Sequence, residues 1–167
     1  VRKNIIEKLS YEKVYKQGFN INTPINLELQ KIATDSLRKG LIAYDRRKGW
    51  RGPILNLEAK DDWFGEIKKK YKLEKSINWQ IAMIKDIKQF SAKIETQKKI
   101  EGIIKYKDIS WTKKEFKDLF KIGDIIYVEK IEDNFYSLQQ LPKINGGIVV
   151  IDPYTGRILA LSGGFSF

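Results

Sequence analysis

The sequence predicts a mainly β chain with some α: a small antiparallel barrel, preceded by a linker helix and followed by a truncated β-hairpin. Three observations predict it. Between residues 78 and 141 the hydrophobic period falls to two in five short runs: NWQIAMIKDIK, FSAKIET, KIEGIIKYK, DIIYVEKI and FYSLQQL. Ahead of them Leu29, Ala33, Leu37 and Leu41 recur at the spacing of one helix face. Behind them IVVI and ILAL flank DPYTGR, reading as two almost wholly apolar strands about a tight turn.

In chain order, a short amphipathic helix is expected around Ile5 to Tyr15, with Ile5, Ile6, Leu9 and Val14 sharing part of a face. FNINTPI follows as extended chain, with Phe19, Ile21 and Thr23 on one side. Asn26 caps the main helix, and Glu28 suits the positive end of its dipole. Ile32 and Tyr44 are expected to widen its apolar stripe. Gly40 is poorer than alanine in a helix interior by about 1 kcal/mol, which points to close packing there. The helix ends in YDRRKGWRGP, where Arg46, Arg47 and Lys48 suit the negative pole and Gly49 supplies the stop. WFGEIKKKYKL predicts a further short helix.

In the second β run Ala92, Ile94 and Thr96 oppose Ser91, Lys93 and Glu95. In the fourth, Ile125, Tyr127 and Ile131 oppose Ile126, Val128 and Lys130, so both faces are partly apolar. SWTKKEFKDLF interrupts between the third and fourth runs; Thr112 and Glu115 form a capping-box pattern, and Phe116, Leu119 and Phe120 give an apolar side. Five strands with a helix between the third and fourth follow the order of an OB-like barrel. Pro142 and the Gly146–Gly147 pair mark a boundary, which divides the chain into 1–53, 54–145 and 146–167. In the last segment Pro153 sets φ early in the turn and Gly156 takes a positive φ at its end. Strands so apolar are expected inside a larger sheet covered on both faces. The missing partners, the opening VRKNIIEKLS and the closing LSGGFSF read as an excised piece of a longer chain.

Of the 167 residues 42% are hydrophobic and 32% charged, a globular composition. The net charge of +11 is carried mainly by lysine interleaved with acids, which reads as a solvated surface. Cysteine and histidine are both absent, which removes disulfides, thiol nucleophiles, imidazole bases and the common zinc sites. No apolar run reaches the roughly 20 residues that span a bilayer.

The sequence offers no residue expected to be catalytic, cofactor-binding or metal-binding. The carboxylate pairs Asp61–Asp62 and Glu132–Asp133 lie in charged loops without a partner base. Asp152 reads as a turn acceptor. Gly163–Gly164 lacks the lysine and spacing of a phosphate loop. Serine followed three residues on by lysine places an amine one helical turn from a hydroxyl, a nucleophile arrangement. It occurs at Ser10–Lys13, Ser36–Lys39 and Ser110–Lys113, without the boxes that accompany it in penicillin-interacting enzymes. A second reading is an OB module for single-stranded nucleic acid, with Phe90, Tyr106, Trp111, Tyr127, Phe135 and Tyr136 as candidate stacking residues. Against it, Lys85 and Lys88 flank Asp86, and Lys93 stands near Glu95.

Three blocks of the chain resemble the class A penicillin-binding proteins, bifunctional peptidoglycan synthases, and most closely the Gram-negative 1A-like type. GFNINTPINLELQKIATDSLRKGLIAYDRRKGWRGP resembles the segment joining glycosyltransferase to transpeptidase; Pro24 replaces the family's second threonine, Lys48 a frequent histidine and Trp50 a tyrosine. GDIIYVEKIEDNFYSLQQLPKINGGIVVIDPYTGRILALSGG is similar to the end of the inserted OB-type domain running into the first transpeptidase hairpin. The closing GGFSF resembles the approach to the catalytic serine. The resemblance implies a periplasmic protein anchored in the inner membrane, which polymerises lipid II and crosslinks stem peptides through a serine acyl-enzyme that β-lactams block. Its glycosyltransferase glutamates would precede Val1, and its serine and lysine would follow Phe167. This portion would then be non-catalytic, position the two domains and offer its barrel to an envelope protein partner; the resemblance implies no nucleic acid and no cofactor.

Overall fold

The computed structural model describes residues 2–16, 21–57, 63–70 and 77–165. Two short helices open the chain, α1 (Arg2–Leu9) and α2 (Tyr11–Lys16). The single helix expected over residues 5–15 is thus broken at Ser10, whose φ is +67°. That left-handed conformation does not propagate a right-handed helix. Phe19 lies outside the described residues, and residues 21–26 run without regular structure.

The long helix α3 (Leu27–Arg47) begins as its sequence dictates: Asn26 Oδ1 accepts the Leu29 N–H at 3.0 Å. Gly49, at φ +87°, follows its C-terminus, where its N–H donates to the Arg46 carbonyl. Ala33 and Leu41 are buried, but Ile32 and Tyr44 are exposed, so the stripe is narrower than the apolar pattern implies. Gly40 faces open space within 4 Å; it marks no close packing.

After α3 come a two-residue strand, β1 (Leu55–Asn56), and helix α4 (Trp63–Lys70). The five expected β runs then appear as β2 (Gln80–Ile87), β3 (Ser91–Thr96), β4 (Glu101–Lys105), β5 (Asp124–Glu132) and β6 (Phe135–Gln139). β2, β3 and β4 form an antiparallel meander. β5 returns beside β2, and β6 lies between β5 and β4. Every strand of the five therefore has two partners, and the barrel is closed. The β4–β6 pairing is parallel, which refines the wholly antiparallel expectation. β1 continues the β5 edge, pairing Leu55 with Ile125.

The barrel interior is Ala82, Ile84, Ala92, Ile94, Ile104, Ile126, Val128, Tyr136 and Leu138, closed at one end by Ile109, Phe116, Leu119 and Phe120. Gly102 is required opposite Tyr136: a Cβ there would lie 2.4 Å from the ring. The second apolar face of β2 and β5 has its own cover. Ile81, Met83 and Ile125 pack under Trp63 and Ile67 of α4, and the Trp63 indole N–H donates to Glu95 at 2.7 Å. The segment between β4 and β5 differs from the expected helix. Thr112 ends a 3-10 turn (Ser110–Thr112), Lys113 turns left-handed at φ +56°, and Glu115 instead precedes the one-turn helix α5 (Phe116–Leu119). Thr112 Oγ1 accepts only a weak 3.3 Å bond from the Lys114 N–H, so no capping box forms.

The chain ends in a separate hairpin, β7 (Gly147–Ile151) and β8 (Ile158–Gly163). Asp152 Oδ1 accepts the Tyr154 and Thr155 N–H groups, and Gly156 has φ +69°, as the turn sequence requires. Those same bonds hold the Asp152 carboxyl below its ordinary pKa. One face of the hairpin lies on α3, with Ala160 and Ser162 buried. The other exposes the cross-strand pairs Val149–Leu161 and Ile151–Ile158. Among the described residues, then, one face of the hairpin is covered and the other open, and the further strands of the larger sheet expected around it are not among them.

Candidate functional site

The feature that organises this molecule is a set of fastenings along α3. At its C-terminal end Asp45 is 2% exposed, the deepest charged group described. Arg51 grips it with one guanidinium nitrogen, at 2.7 and 2.8 Å from the two carboxylate oxygens. Gln140, the residue after β6, donates to the same carboxylate at 2.8 Å, and the Lys143 N–H adds a bond at 3.2 Å. The Gln140 amide oxygen accepts the Arg51 N–H at 2.8 Å. Burial pushes the Asp45 carboxyl up, but the bonds from Arg51, Gln140 and Lys143, together with the Arg51 charge, outweigh it and hold the group below its ordinary pKa.

Beside it, Arg46 donates to the Gln139 side-chain oxygen at 2.8 Å and to the Leu138 carbonyl at 3.3 Å. Its guanidinium lies over the Trp111 ring, 5.1 Å from the centroid, and Trp50 meets Trp111 edge-on. Burial lowers the Arg46 pKa, and the carboxylate of Glu129 opposes that. The stretch YDRRKGWRGP is thus a latch. Arg46, Trp50 and Arg51 turn inward to bind the last barrel strand and the chain leaving it, while Arg47 and Lys48 lie over the exposed Tyr44 ring on the outside.

At the other end α3 holds the hairpin. The Asn26 N–H donates to the Leu159 carbonyl at 2.8 Å. The Gln30 amide bonds the Leu161 backbone in both directions, donating to its carbonyl at 2.9 Å and accepting its N–H at 3.0 Å. It thereby imitates a strand neighbour. Thr34 reaches Ser162 at 3.3 Å, and Arg38 donates to the Phe165 carbonyl at 3.2 Å. These four residues occupy one side of the helix, at spacings of four.

The residues weighed for chemistry are scattered. Ser10 is exposed between α1 and α2, and Ser36 is exposed on α3. The Ser110 hydroxyl donates to the Lys107 carbonyl at 2.8 Å. Glu132 and Asp133 are exposed; Asp61, Asp62 and Ser166 lie outside the described residues. Of the candidate stacking aromatics, Tyr136 is in the core, Trp111 packs against Trp50, and Tyr127 lies beside Trp79. Phe135 is covered by Lys105, while Phe90 and Tyr106 are exposed. Among the described residues no cluster of acids could hold a metal ion, and no helix is long and apolar enough to cross a membrane. The latch itself escaped the sequence reading. Of the Asp45 partners only Arg51 is local, six residues on, whereas Gln140 and Lys143 reach it from about a hundred residues away.

Residues 50–144 match the family described as penicillin-binding protein OB-like domain. Penicillin-binding protein 1A of Rickettsia felis is 38% identical to the whole of this chain, which spans 21% of that relative. The Pseudomonas aeruginosa protein of the same name is 30% identical over 93% of this chain, which spans 20% of it. In solved structures, penicillin-binding protein 1A from Haemophilus influenzae matches 99% of this chain with a TM-score of 0.79 and 26% identity, over 25% of its own length. The chain therefore spans about a fifth of the curated relatives it matches.

Proposed function

The chain belongs to the class A penicillin-binding proteins, and from that membership we propose that it is the non-catalytic coupling portion of a bifunctional peptidoglycan synthase. Residues 1–53 join the glycosyltransferase to the transpeptidase, 54–145 form an inserted OB-like domain, and 146–167 open the transpeptidase sheet. The observation that carries this reading is the double fastening of α3. One helix is bonded to the hairpin through Asn26, Gln30, Thr34 and Arg38, and to the barrel through Asp45 and Arg46. An element tied to two bodies transmits their relative position.

The hairpin supports the same reading. Its outer face presents four apolar side chains in two cross-strand pairs, the surface that a neighbouring layer of a larger domain would bury. The whole protein would polymerise lipid II and crosslink stem peptides through a serine acyl-enzyme beyond Phe167. It would work in the periplasm, anchored in the inner membrane by a segment outside this chain, with its barrel available to an envelope protein.

The test is labelling with a fluorescent penicillin, applied to the full-length protein and to residues 1–167 alone. The full-length protein is expected to carry one covalent label on a serine after Phe167, and the 167-residue piece none. A label on Ser10, Ser36 or Ser110 would assign the nucleophile to this chain and overturn the proposal.

A further inference from the structure

The hairpin also meets the barrel directly, through one ring. After β8 the chain turns at Gly164, φ +74°, whose N–H donates to the Gly146 carbonyl at 2.8 Å. Phe165 then folds back and is 6% exposed. Its ring lies 5.6 Å from that of Trp79, and Trp79 lies 6.3 Å from Tyr127. Trp79 stands directly before β2, and Tyr127 sits in β5, paired with Ile81 and Gln139. Phe165 is therefore held at three points: by the turn before it, by Arg38 on its carbonyl, and by the barrel on its ring.

Closing the hairpin needs only the first of these ties, since β7 and β8 are already paired from Gly147–Gly163 to Ile151–Ile158. The other two fix where the chain stands, and in which direction it points, as it leaves β8. One comes from α3 and the other from the barrel.

We propose that Trp79 and Arg38 are positioning residues for acyl transfer, acting through Phe165 on the segment that follows it. The inference rests on the function proposed above, in which that segment leads to the serine. The barrel then does more than offer a docking surface: its seat against Phe165 sets the nucleophile's approach. A displacement of about 1 Å at reacting atoms is enough to cost up to about a hundredfold in rate.

The experiment measures acylation of the full-length protein by a fluorescent penicillin, resolved into reversible binding and the rate of acylation. In that step the serine oxygen forms an ester with the lactam carbonyl carbon. The ring C–N bond breaks, and the nitrogen takes up the proton that the serine loses. The variants are Trp79→Ala, Trp79→Phe, Arg38→Ala and Arg38→Lys, with glycan polymerisation and the melting temperature followed in parallel. Trp79→Ala and Arg38→Ala are expected to slow acylation about tenfold while reversible binding and polymerisation stay unchanged, the scale of a sub-ångström misplacement. Trp79→Phe, which keeps a ring, is expected to restore the rate. Wild-type acylation rates in both alanine variants would overturn the inference, as would a parallel loss of acylation, reversible binding and polymerisation. Failure of the wild-type protein to label at all would instead overturn the proposed function, and this inference with it.

Discussion

The barrel and the hairpin are both β structures rich in Ile, Val and Leu, and they solve the same problem in opposite ways. In the barrel each strand edge is paired, the interior is filled, and the apolar outer face of β2 and β5 is covered by α4. In the hairpin, among the described residues, both outer edges lack a strand, one face is open, and the other depends on α3. A two-stranded ribbon has too little apolar contact to stand alone in water. The difference teaches that the barrel carries its own stability, while the hairpin borrows its stability from the helix. That dependence makes α3 a coupler.

The largest blow to the comparison should come from the barrel core. Tyr136 fills the space left by Gly102, and no neighbouring Cβ can replace its ring. Tyr136→Ala is expected to cost about 3–5 kcal/mol, read as a lowered urea midpoint. The hairpin should unfold with the barrel, because its support is lost. Loss of barrel signal with the hairpin intact would break the comparison.

Next is the latch. Asp45→Ala takes the carboxylate from Arg51 Nη1 and from the Gln140 amide, leaving them only the Leu141 carbonyl at Nη2 and a 3.2 Å bond to the Gly49 carbonyl. The expected cost is about 3 kcal/mol, at the lower end for a broken buried pair because Arg51 keeps some contact with solvent. Since the folded state holds the Asp45 pKa below the unfolded value, its contribution is present above the ordinary aspartate range of about 3.9 and is lost as pH falls through the lower folded value. Urea midpoints of the wild type should therefore drop in acid more steeply than those of Asp45→Asn. Identical acid profiles would remove Asp45 from the account.

How much of this was legible in the sequence follows the range of the forces involved. The five barrel strands were readable because alternation is local, and so was the two-faced apolarity of DIIYVEKI, though not the helix α4 that covers its outer side. The Asn26 cap and the DPYTGR turn were readable because each is satisfied within a few residues. The break at Ser10 was not, since nothing in VRKNIIEKLSYEKVY departs from helical pattern there. Thr112–Glu115 had the letters of a capping box, but the buried Ile109 and Phe116 fix a tighter path across the end of the barrel. The exposure of Ile32 and Tyr44, and the burial of Asp45, depend on what the barrel and hairpin bring to α3 from far along the chain. The candidate site is built almost wholly from such distant pairs.

The smallest effect should be the most local. Gln30→Ala removes the two bonds that imitate a strand beside Leu161, worth about 1–2 kcal/mol together. Hydrogen exchange should accelerate in β7 and β8 and stay unchanged in β2–β6. Equal acceleration in both regions would mean that the hairpin and barrel form one cooperative unit.

The most direct measurement is native-state hydrogen exchange of the unaltered residues 1–167, compared strand by strand. If the barrel is complete and the hairpin dependent, the amides of β2, β3 and β5 will exchange only through global unfolding, and those of β7 and β8 through a smaller opening at lower free energy. Hairpin amides protected as strongly as those of the barrel would contradict the account.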